Sequence, residues 1–360
     1  MQLHFYMIPH IRALSYVEDS TLWETLIDRS PSPDVYFRPS YLRLSEIIGG
    51  GNAVALLGES GTQSTLCPLL VRREAHVSDA FTPYGYGGLL SVSPGMLSAY
   101  DTARIFESID QWCKSEGLIC CVVRMHPLLV NQFDLSSLAP PDFIVQNRGE
   151  TQAIDLAHWD LKHQRIAGMK KGRLSDLSYA RKFLTVVIAE GPDRVKQNIQ
   201  IFRNIYDETM QRVQAKAFYR FPEAYYQELV KSLGSHAVIG LALHQNRPVA
   251  ASVFLHDHHF LHYHLSGTTK EGMGLKASTL LVNEAASWAR SKGCRMLHLG
   301  GGHHKGAGLQ NFKASFGGSS HPYIYVTIVA DIARYRQLID AAKPLWPYAP
   351  EPKKTASAEV

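Results

Sequence analysis

One glycine-punctuated stretch, residues 267–316, constrains the fold of this chain more than any other. It reads GTTKEGMGLKASTLLVNEAASWARSKGCRMLHLGGGHHKGAGLQNFKASF. Apolar residues recur at three-to-four spacing over residues 276–291 and predict an amphipathic helix, which Gly293 ends as a C-cap. Residues 295–299 are mostly apolar and predict a buried strand. Two glycine-rich turns, each opening a helix, leave backbone N–H groups free for an anionic or acyl ligand.

Length and composition set broad limits on the rest. The 360 residues suffice for two domains or a fused pair of similar units. A net charge of +5 suits an anionic partner such as a nucleotide, coenzyme A or tRNA, although many unrelated proteins share it. The five cysteines form no C-x-x-C pair, so we expect buried free thiols in a reducing cytosol. We find no signal-peptide pattern and no apolar run near about 18 residues, so we expect a cytoplasmic protein without membrane insertion.

Apolar periodicity predicts a succession of helices and strands, and hence an α/β chain with mixed sheets. Helices are expected at residues 16–29, 41–48, 101–115, 193–213, 222–233 and 332–342, with a long basic helix or helix pair at 159–182. Strands are expected at residues 52–57, 65–71, 118–123, 153–156, 184–189, 236–244, 248–256, 260–266 and 322–330. Residues 344–360 hold four prolines and no apolar period, so we expect a disordered tail.

A weak internal repeat divides the chain. Residues 112–117 read WCKSEG and residues 288–293 read WARSKG. Each ends a predicted helix that follows a glycine-rich loop, and each feeds a strand that finishes near a histidine, His126 or His298. Duplication of one helix–strand unit explains the match, although so short a string can also agree by chance.

Several of these motifs resemble one family. HLGGG at residues 298–302, followed by LQNFKASFGG at 309–318, is similar to the C-terminal signature of the FemAB/FemX family and of related GNAT-like sequences. FTPYGYGGLL at residues 81–90 resembles a further stretch of that family. The order of strands and helices over residues 236–342 matches that of the GNAT acyltransferase fold. The resemblance implies two tandem GNAT-like subdomains, at residues 1–155 and 156–343.

The resemblance also implies an activity, which is transfer of an aminoacyl group from aminoacyl-tRNA to an amine, typically of a cell-wall precursor peptide. It puts Lys313, beside Phe312, close to the reacting centre, and it gives Arg173 a part in holding the acceptor's phosphates. The acyl donor would be a co-substrate, so we expect no cofactor. Cell-wall enzymes of the family carry an acidic residue soon after the first glycine loop. Here LLSVS follows that loop, so the acceptor is predicted only as a small-molecule or peptide-like amine.

The chemistry of acyl transfer assigns roles to several residues. Amine attack on an ester or thioester needs a neutral amine, donors for the developing oxyanion and a proton for the leaving group. Lys313 is the candidate for the positive charge or the proton, against the plain interpretation of a surface lysine. His298 or His303 is the candidate general base. Gly301 and Gly302 suggest close approach of a ligand to the backbone, or a bulge that lets the chain turn.

Two further loops carry candidate binding residues. Tyr84 and Tyr86 lie between glycines and are expected to line the acceptor pocket or to plug a loop. Lys270, Gly272 and Gly274 resemble the pyrophosphate loop of GNAT enzymes, in which phosphate meets unpaired N–H groups at a helix start. A plain tight turn is the alternative.

Histidines crowd the predicted hairpin around residues 256–264, where His262 and His264 point to the same strand face. No cysteine joins them and zinc prefers spaced ligands, so we expect no metal site. No activated nucleophile is visible either. The predicted function is direct transfer from aminoacyl-tRNA to an amine. Acyl-CoA-dependent N-acyl transfer and a non-catalytic binding protein are the alternatives.

Overall fold

One continuous mixed sheet of 13 strands passes through both halves of the chain. The computed structural model describes residues 10–60, 63–74, 77–95, 97–129, 143–301 and 307–340, and the structural statements below refer to these residues. The predicted tail at 344–360 and the candidates Gly302 and His303 lie outside them. The sheet and its flanking helices confirm the prediction of a mixed α/β fold.

Two helices in the first half begin at capping side chains. Ser15 caps the first helix by accepting the N–H of Glu18, and Ser98 forms a capping box with Asp101 at the start of the third. The elements are β1 (Ile11–Ser15), α1 (Tyr16–Asp28), α2 (Pro39–Gly49), β2 (Asn52–Ser60), β3 (Gln63–Arg73), β4 (Ser78–Phe81), β5 (Leu90–Ser91), α3 (Ala99–Ser115), β6 (Cys120–Arg124) and β7 (Phe143–Asp155).

The second half repeats the alternation of strands and helices that its apolar periodicity predicts. Its elements are β8 (Trp159–Asp160), β9 (Arg165–Ile166), α4 (Lys171–Phe183), β10 (Leu184–Glu190), α5 (Pro192–Arg212), α6 (Glu223–Leu233), β11 (Ala237–His244), β12 (Arg247–Asp257), β13 (Phe260–Thr268), α7 (Lys270–Gly274), α8 (Ala277–Ser291), β14 (Met296–Gly301), α9 (Ala307–Ala314), β15 (Ser319–Val329) and α10 (Ile332–Asp340).

The predicted basic helix over residues 159–182 is wrong in its first part. There β8 pairs with β9 as a short hairpin, and α4 begins only at Lys171. Inside the hairpin, Arg165 donates to the Asp160 carboxylate at 2.9 Å. Gly168 then adopts a φ of 78°, which an α-helix does not accommodate. The spacing of the charged residues fits both a helix and a hairpin, so it could not distinguish between them.

The two halves exchange their last strands. The sheet order is β1-β2-β3-β4-β6-β15-β7-β14-β13-β12-β11-β10, with β5 beside β3. β15 comes from the end of the second half but lies next to β6 of the first. β7 comes from the end of the first half but lies next to β14 of the second. The sheet is therefore continuous across the expected boundary after residue 155, and that boundary stays a prediction.

The internal repeat corresponds to two similar helix–strand units. α3 leads into β6, which pairs in parallel with β4, and α8 leads into β14, which pairs in parallel with β13. The two histidines to which the repeat pointed, His126 and His298, come together between the halves with ring centroids 6.2 Å apart. Two tandem GNAT-like units thus share one interior.

Buried contacts join the halves. Arg38 of the first half donates from Nε and Nη2 to the Asp257 carboxylate of the second, at 2.5 and 3.1 Å. One hydrophobic cluster contains both Trp23 and Tyr225, again one from each half. Removing either half would expose this core and leave a buried charge without its partner.

Two expectations from composition concern cysteines and membranes. All five cysteines are buried and free, as predicted. Among the helices in the described part of the chain, none combines the length and the apolar character needed to cross a bilayer.

Candidate active site

Four titratable side chains meet in the interior between the halves. Asp34 precedes a short 3-10 turn, His126 follows β6, His262 lies on β13 and His298 lies on β14. Their exposed fractions are 0%, 2%, 1% and 1%. We call these four residues the junction cluster. Since each half contributes two of them, the cluster exists only in the assembled fold.

Asp34 is the hydrogen-bonding centre of the junction cluster. Its Oδ2 accepts from Nε2 of His262 at 2.6 Å and lies 3.3 Å from Nε2 of His126. Its Oδ1 accepts the backbone N–H of Tyr36 at 2.9 Å. Burial alone would raise the pKa of this carboxyl, but the two neighbouring imidazoles hold it well below its ordinary value. Asp34 is therefore a buried anion.

His298 ends this series of contacts. Its Nδ1 lies 3.3 Å from Nδ1 of His262, and its Nε2 has no hydrogen-bond partner among the described residues. Burial lowers the pKa of His298 well below its ordinary value, so the ring is neutral near pH 7. A neutral imidazole with an unoccupied nitrogen has the form that a general base requires.

Lys313 reaches the same region from α9. Its ammonium donates to the carbonyl of Gly301 at 2.6 Å, and the residue is 8% exposed. Burial lowers the pKa of Lys313 to about 8. Gly300 has a φ of 73°, and a Cβ there would lie 3.1 Å from the Tyr86 hydroxyl and 3.4 Å from Nζ of Lys313. The glycine lets the backbone pass close to both groups.

Tyr86 adjoins the junction cluster on the side of Gly301. Its ring centroid lies 4.6 Å from that of His298 and 5.3 Å from that of Tyr323. Burial raises the pKa of Tyr86 above its ordinary value, although the backbone of Gly301 hydrogen-bonds its hydroxyl. The phenol therefore stays protonated and can donate a hydrogen bond.

Tyr84 belongs to a neighbouring aromatic group. Its carbonyl accepts from the Tyr41 hydroxyl, and its ring lies 5.6 Å from that of His264. The intervening Gly85 has a φ of 96°, and a Cβ there would lie 2.4 Å from the Tyr36 ring. Tyr84, Gly85 and Tyr86 are all half-buried. The loop between β4 and β5 thus extends from the surface to the junction cluster.

The parallel strands β13 and β14 diverge beside the cluster. In the described sheet they pair at three positions, the last joining His262 to His298. β14 then follows β7, whereas β13 continues to Thr268 beside β12. Divergence at the carboxyl ends of parallel strands opens the sheet where α/β folds bind ligands.

Arg173 anchors α9. Its guanidinium donates to Oγ of Ser315 at 2.9 Å and to Oγ1 of Thr279 at 2.7 Å, and it lies 4.5 Å from the Phe312 ring centroid. Because α9 also carries Lys313, these contacts orient the lysine. Phe312 takes part in the packing beneath the guanidinium. The phosphate-holding role of Arg173 stays a prediction.

The predicted phosphate loop, Lys270–Gly274, forms the short helix α7. Thr269 accepts the N–H of Gly272 with its side chain and that of Met273 with its carbonyl, each at 3.0 Å. A Cβ on Gly272 would lie 2.2 Å from the carbonyl oxygen of Val249, so this glycine permits close packing on β12. Two amides that a phosphate would meet are therefore already bonded.

Three members of the junction cluster are potential metal ligands. Asp34, His126 and His262 each offer one atom within 4.8 Å of the others. Two ligands on a tetrahedral zinc at about 2.0–2.2 Å lie about 3.3 Å apart. Asp34 Oδ2 and His262 Nε2 are only 2.6 Å apart, which is a charge-assisted hydrogen bond. The expectation of no metal stays a prediction.

A cavity of about 720 Å³ opens at the opposite end of β13 and β14. It is lined by the first residues of these strands, Phe260 and Met296, and by Arg290 and Arg295. The Phe260 ring lies between this cavity and the cluster, with its centroid 5.6 Å from that of His126. None of the site residues predicted from the sequence lines this cavity. We therefore locate the candidate site by the chemistry of the junction cluster, not by cavity size.

Of the four residues in the junction cluster, sequence reasoning predicted only His298 as a site residue. Asp34 lies in the proline-rich segment PSPDVYF, which has no period and matches no motif. His126 ends the first repeat and could have been found by comparison with His298. His262 was considered only as a metal ligand.

Comparison with known families supports the fold assignment. Residues 172–314 match the family model of the acetyltransferase (GNAT) domain. A search among curated proteins gives no match. The matched segment contains His262, His298 and Lys313, whereas Asp34 and His126 precede it.

Solved structures share the fold over most of the chain. FemX is 10% identical with a TM-score of 0.67, over 91% of this chain and 99% of that one. The C-terminal domain of a putative lysylphosphatidylglycerol synthetase from Agrobacterium fabrum is 14% identical with a TM-score of 0.59, over 94% and 99%. A tandem GNAT protein from the clavulanic acid biosynthesis pathway is 14% identical with a TM-score of 0.51, over 89% and 98%. These findings confirm the FemX-like tandem GNAT fold and, with the domain match, the prediction of an acyltransferase.

Proposed function

We propose that this acyltransferase moves an aminoacyl group from aminoacyl-tRNA to the amine of a small or peptide-like acceptor. The observation that carries the proposal is the meeting of three groups around Gly300 and Gly301. They are the buried ammonium of Lys313, the protonated phenol of Tyr86 and the Nε2 of His298, which no described residue hydrogen-bonds. Amine attack on an ester needs these three kinds of group.

The reaction proceeds without a covalent enzyme intermediate. Nε2 of His298 takes a proton from the acceptor amine as its nitrogen attacks the ester carbonyl carbon. The phenol of Tyr86 and the ammonium of Lys313 stabilise the tetrahedral oxyanion. Collapse breaks the bond to the ribose oxygen, which takes a proton from Lys313. The products are an amide and tRNA with a free hydroxyl. Solvent then takes the proton from His298 and gives one to Lys313, which restores both groups.

The nature of the donor is the second part of the proposal. A structurally similar domain comes from a putative lysylphosphatidylglycerol synthetase, whose name denotes an aminoacylated lipid, and this similarity supports an aminoacyl donor. The amides of Gly272 and Met273 are bonded to Thr269, which disfavours pyrophosphate at α7. The acetyltransferase model that matches residues 172–314 favours acyl-CoA, and we keep N-acyl transfer from acyl-CoA as the alternative.

A donor assay on the purified full chain separates the two. Labelled aminoacyl-tRNAs and labelled acetyl-CoA are each offered with a panel of primary amines, including short peptides. We expect label in the amine from charged tRNA, and no label once ribonuclease has digested the tRNA. Free thiol released from acetyl-CoA, without transfer from tRNA, would replace the proposal by its alternative. Activity with neither donor would favour a binding protein.

Two lysine variants make the assay specific. Lys313→Met should abolish transfer from either donor, because both reactions use the ammonium. Lys270→Met should lower turnover only if the donor is acyl-CoA, because Lys270 is exposed at the start of α7 and belongs to the predicted phosphate loop. The pair therefore tests the site and the donor separately.

A further inference from the structure

The hydrogen bonds of the junction cluster determine where its protons lie. Oδ1 of Asp34 accepts the N–H of Tyr36 and Oδ2 faces Nε2 of His262, so the carboxylate is the acceptor and Nε2 of His262 carries the proton between them. In a neutral His262, Nδ1 is then an acceptor. The hydrogen-bond partner of that nitrogen is Nδ1 of His298 at 3.3 Å, which then supplies the hydrogen. Nε2 of His298 is left with a lone pair.

We infer that Asp34 and His262 form a relay that holds His298 in the tautomer with an unprotonated Nε2. The catalytic consequence rests on the proposed function, in which that nitrogen is the base. Asp34 and His262 touch no reacting atom in this scheme and are positioning residues. The state of the protons does not depend on which substrate the enzyme uses.

His126 completes the support of the carboxylate. The backbone N–H of Leu128 donates to Nδ1 of His126 at 3.2 Å, so a neutral His126 carries its proton on Nε2. That nitrogen faces Oδ2 of Asp34 at 3.3 Å. With the N–H of Tyr36 on Oδ1, the carboxylate is surrounded by donors and does not need a proton of its own.

A protonated His262 would place the proton of His298 on the other ring nitrogen. Its second N–H would donate to Nδ1 of His298, and Nε2 of His298 would then carry a buried N–H. That N–H would have no acceptor among the described residues. Buried donors without partners are rarer than incompletely used acceptors, so the neutral relay is favoured. A zinc ion is disfavoured by the 2.6 Å contact between Asp34 and His262.

The relay crosses from one half of the chain to the other. Asp34 is 228 residues from His262 in sequence, and the base stands on the strand next to His262. The second half alone therefore contains the base and Lys313 but not the carboxylate that sets the tautomer.

Nitrogen-15 NMR of histidine rings tests this inference without an activity assay. The full chain is labelled with 15N-histidine, and long-range 1H–15N spectra are assigned for His298 with the variant His298→Gln. We expect Nδ1 of His298 to resonate as a protonated nitrogen and Nε2 as an unprotonated one. The reverse pattern, or an exchanging mixture, would overturn the relay.

The variant Asp34→Asn should invert the pattern. The N–H of Tyr36 needs the amide oxygen at the Oδ1 position, so the amide nitrogen must face His262. His262 then accepts at Nε2, donates from Nδ1, and leaves the proton of His298 on Nε2. Asp79→Asn is the matched control, because Asp79 is equally buried but pairs with Arg72 at 2.6 Å. It should leave the His298 signals unchanged.

Kinetics and metal analysis complete the test. Asp34→Asn should lower kcat by about 10²–10⁴-fold with little change in KM for the donor. Stoichiometric zinc whose removal shifts the His298 signals would overturn the relay in favour of a metal site. The predicted tautomer without transfer from any donor would support the relay and contradict the proposed function. If Asp34→Asn does not fold, the wild-type spectrum alone still decides.

Discussion

Replacing Lys313 by methionine should make the protein more stable and inactive. Burial lowers the pKa of this ammonium from 10.5 to about 8. Each pKa unit corresponds to about 1.4 kcal/mol, so keeping the charged form in the fold costs about 3 kcal/mol near pH 7. The variant loses the hydrogen bond to the Gly301 carbonyl, which contributes about 1 kcal/mol. The net gain in the free energy of unfolding should be about 1–2 kcal/mol.

The dependence on pH identifies the cause. The folded pKa of Lys313 lies below its unfolded value, so the wild type bears the full penalty below about pH 8. The penalty disappears as the pH rises from the folded value towards 10.5. Urea unfolding should therefore show that the advantage of Lys313→Met shrinks by about 1 kcal/mol between pH 7 and pH 9.

Lys270→Met serves as the control for removing a lysine charge. Lys270 is exposed, so its replacement should change the free energy of unfolding by less than about 0.5 kcal/mol. A Lys313→Met protein less stable than wild type at pH 7 would refute the reasoning. So would a stability difference that does not vary with pH.

Three further predictions test the parts around the site. Gly300→Ala should lower the free energy of unfolding by about 1–2 kcal/mol, because the φ of 73° at this position is left-handed, and it should slow transfer by moving the Tyr86 hydroxyl. Thermal unfolding measures the first effect and turnover the second. A variant with unchanged stability and turnover would contradict the close approach of the backbone to Tyr86. Arg173→Lys should lower kcat and leave KM for the donor unchanged, because lysine lacks the planar guanidinium that bonds both Ser315 and Thr279 and so orients α9. A raised KM with unchanged kcat would indicate instead that Arg173 binds phosphate. Arg38→Met should lower the free energy of unfolding by about 3–5 kcal/mol, because Asp257 stays buried without its partner; an unchanged urea midpoint would contradict this.

Local patterns in the sequence were sufficient to predict the positions of most helices and strands. α8 begins within a residue of its predicted start, although it is buried around most of its circumference at residues 279–283, and β14 also begins within a residue of its expected start. The error at residues 159–170 arose because basic residues at helical spacing also suit a hairpin. There Gly168 decides the conformation, and its φ cannot be read from its neighbours. The exchange of β7 and β15 depends on pairing between strands about half a chain apart, for which one sequence holds no local signal.

Candidate site residues also fall into two groups, those that a local motif marks and those that only the folded structure reveals. Lys313, His298 and Tyr86 belong to motifs with glycines beside them, and the resemblance to a family pointed to two of those motifs. The structure brings these three together. Asp34 has no such motif, and its partner His262 follows 228 residues later. Its role follows only from the folded arrangement, because any carboxylate in a proline-rich loop looks like a surface residue in the sequence.

The exchange of strands accounts for one candidate site between two similar halves. In the second half, β14 carries the proposed base, His298, and α9 carries the ammonium of Lys313. In the first half, β6 leads to His126, whose Nδ1 is occupied by the N–H of Leu128 and whose Nε2 faces Asp34. The two ring nitrogens of His126 therefore face the backbone of Leu128 and the carboxylate of Asp34. In the proposed mechanism, the first half holds the carboxylate and the second half carries the base and the ammonium. The continuous sheet through β15 and β7 joins the two halves.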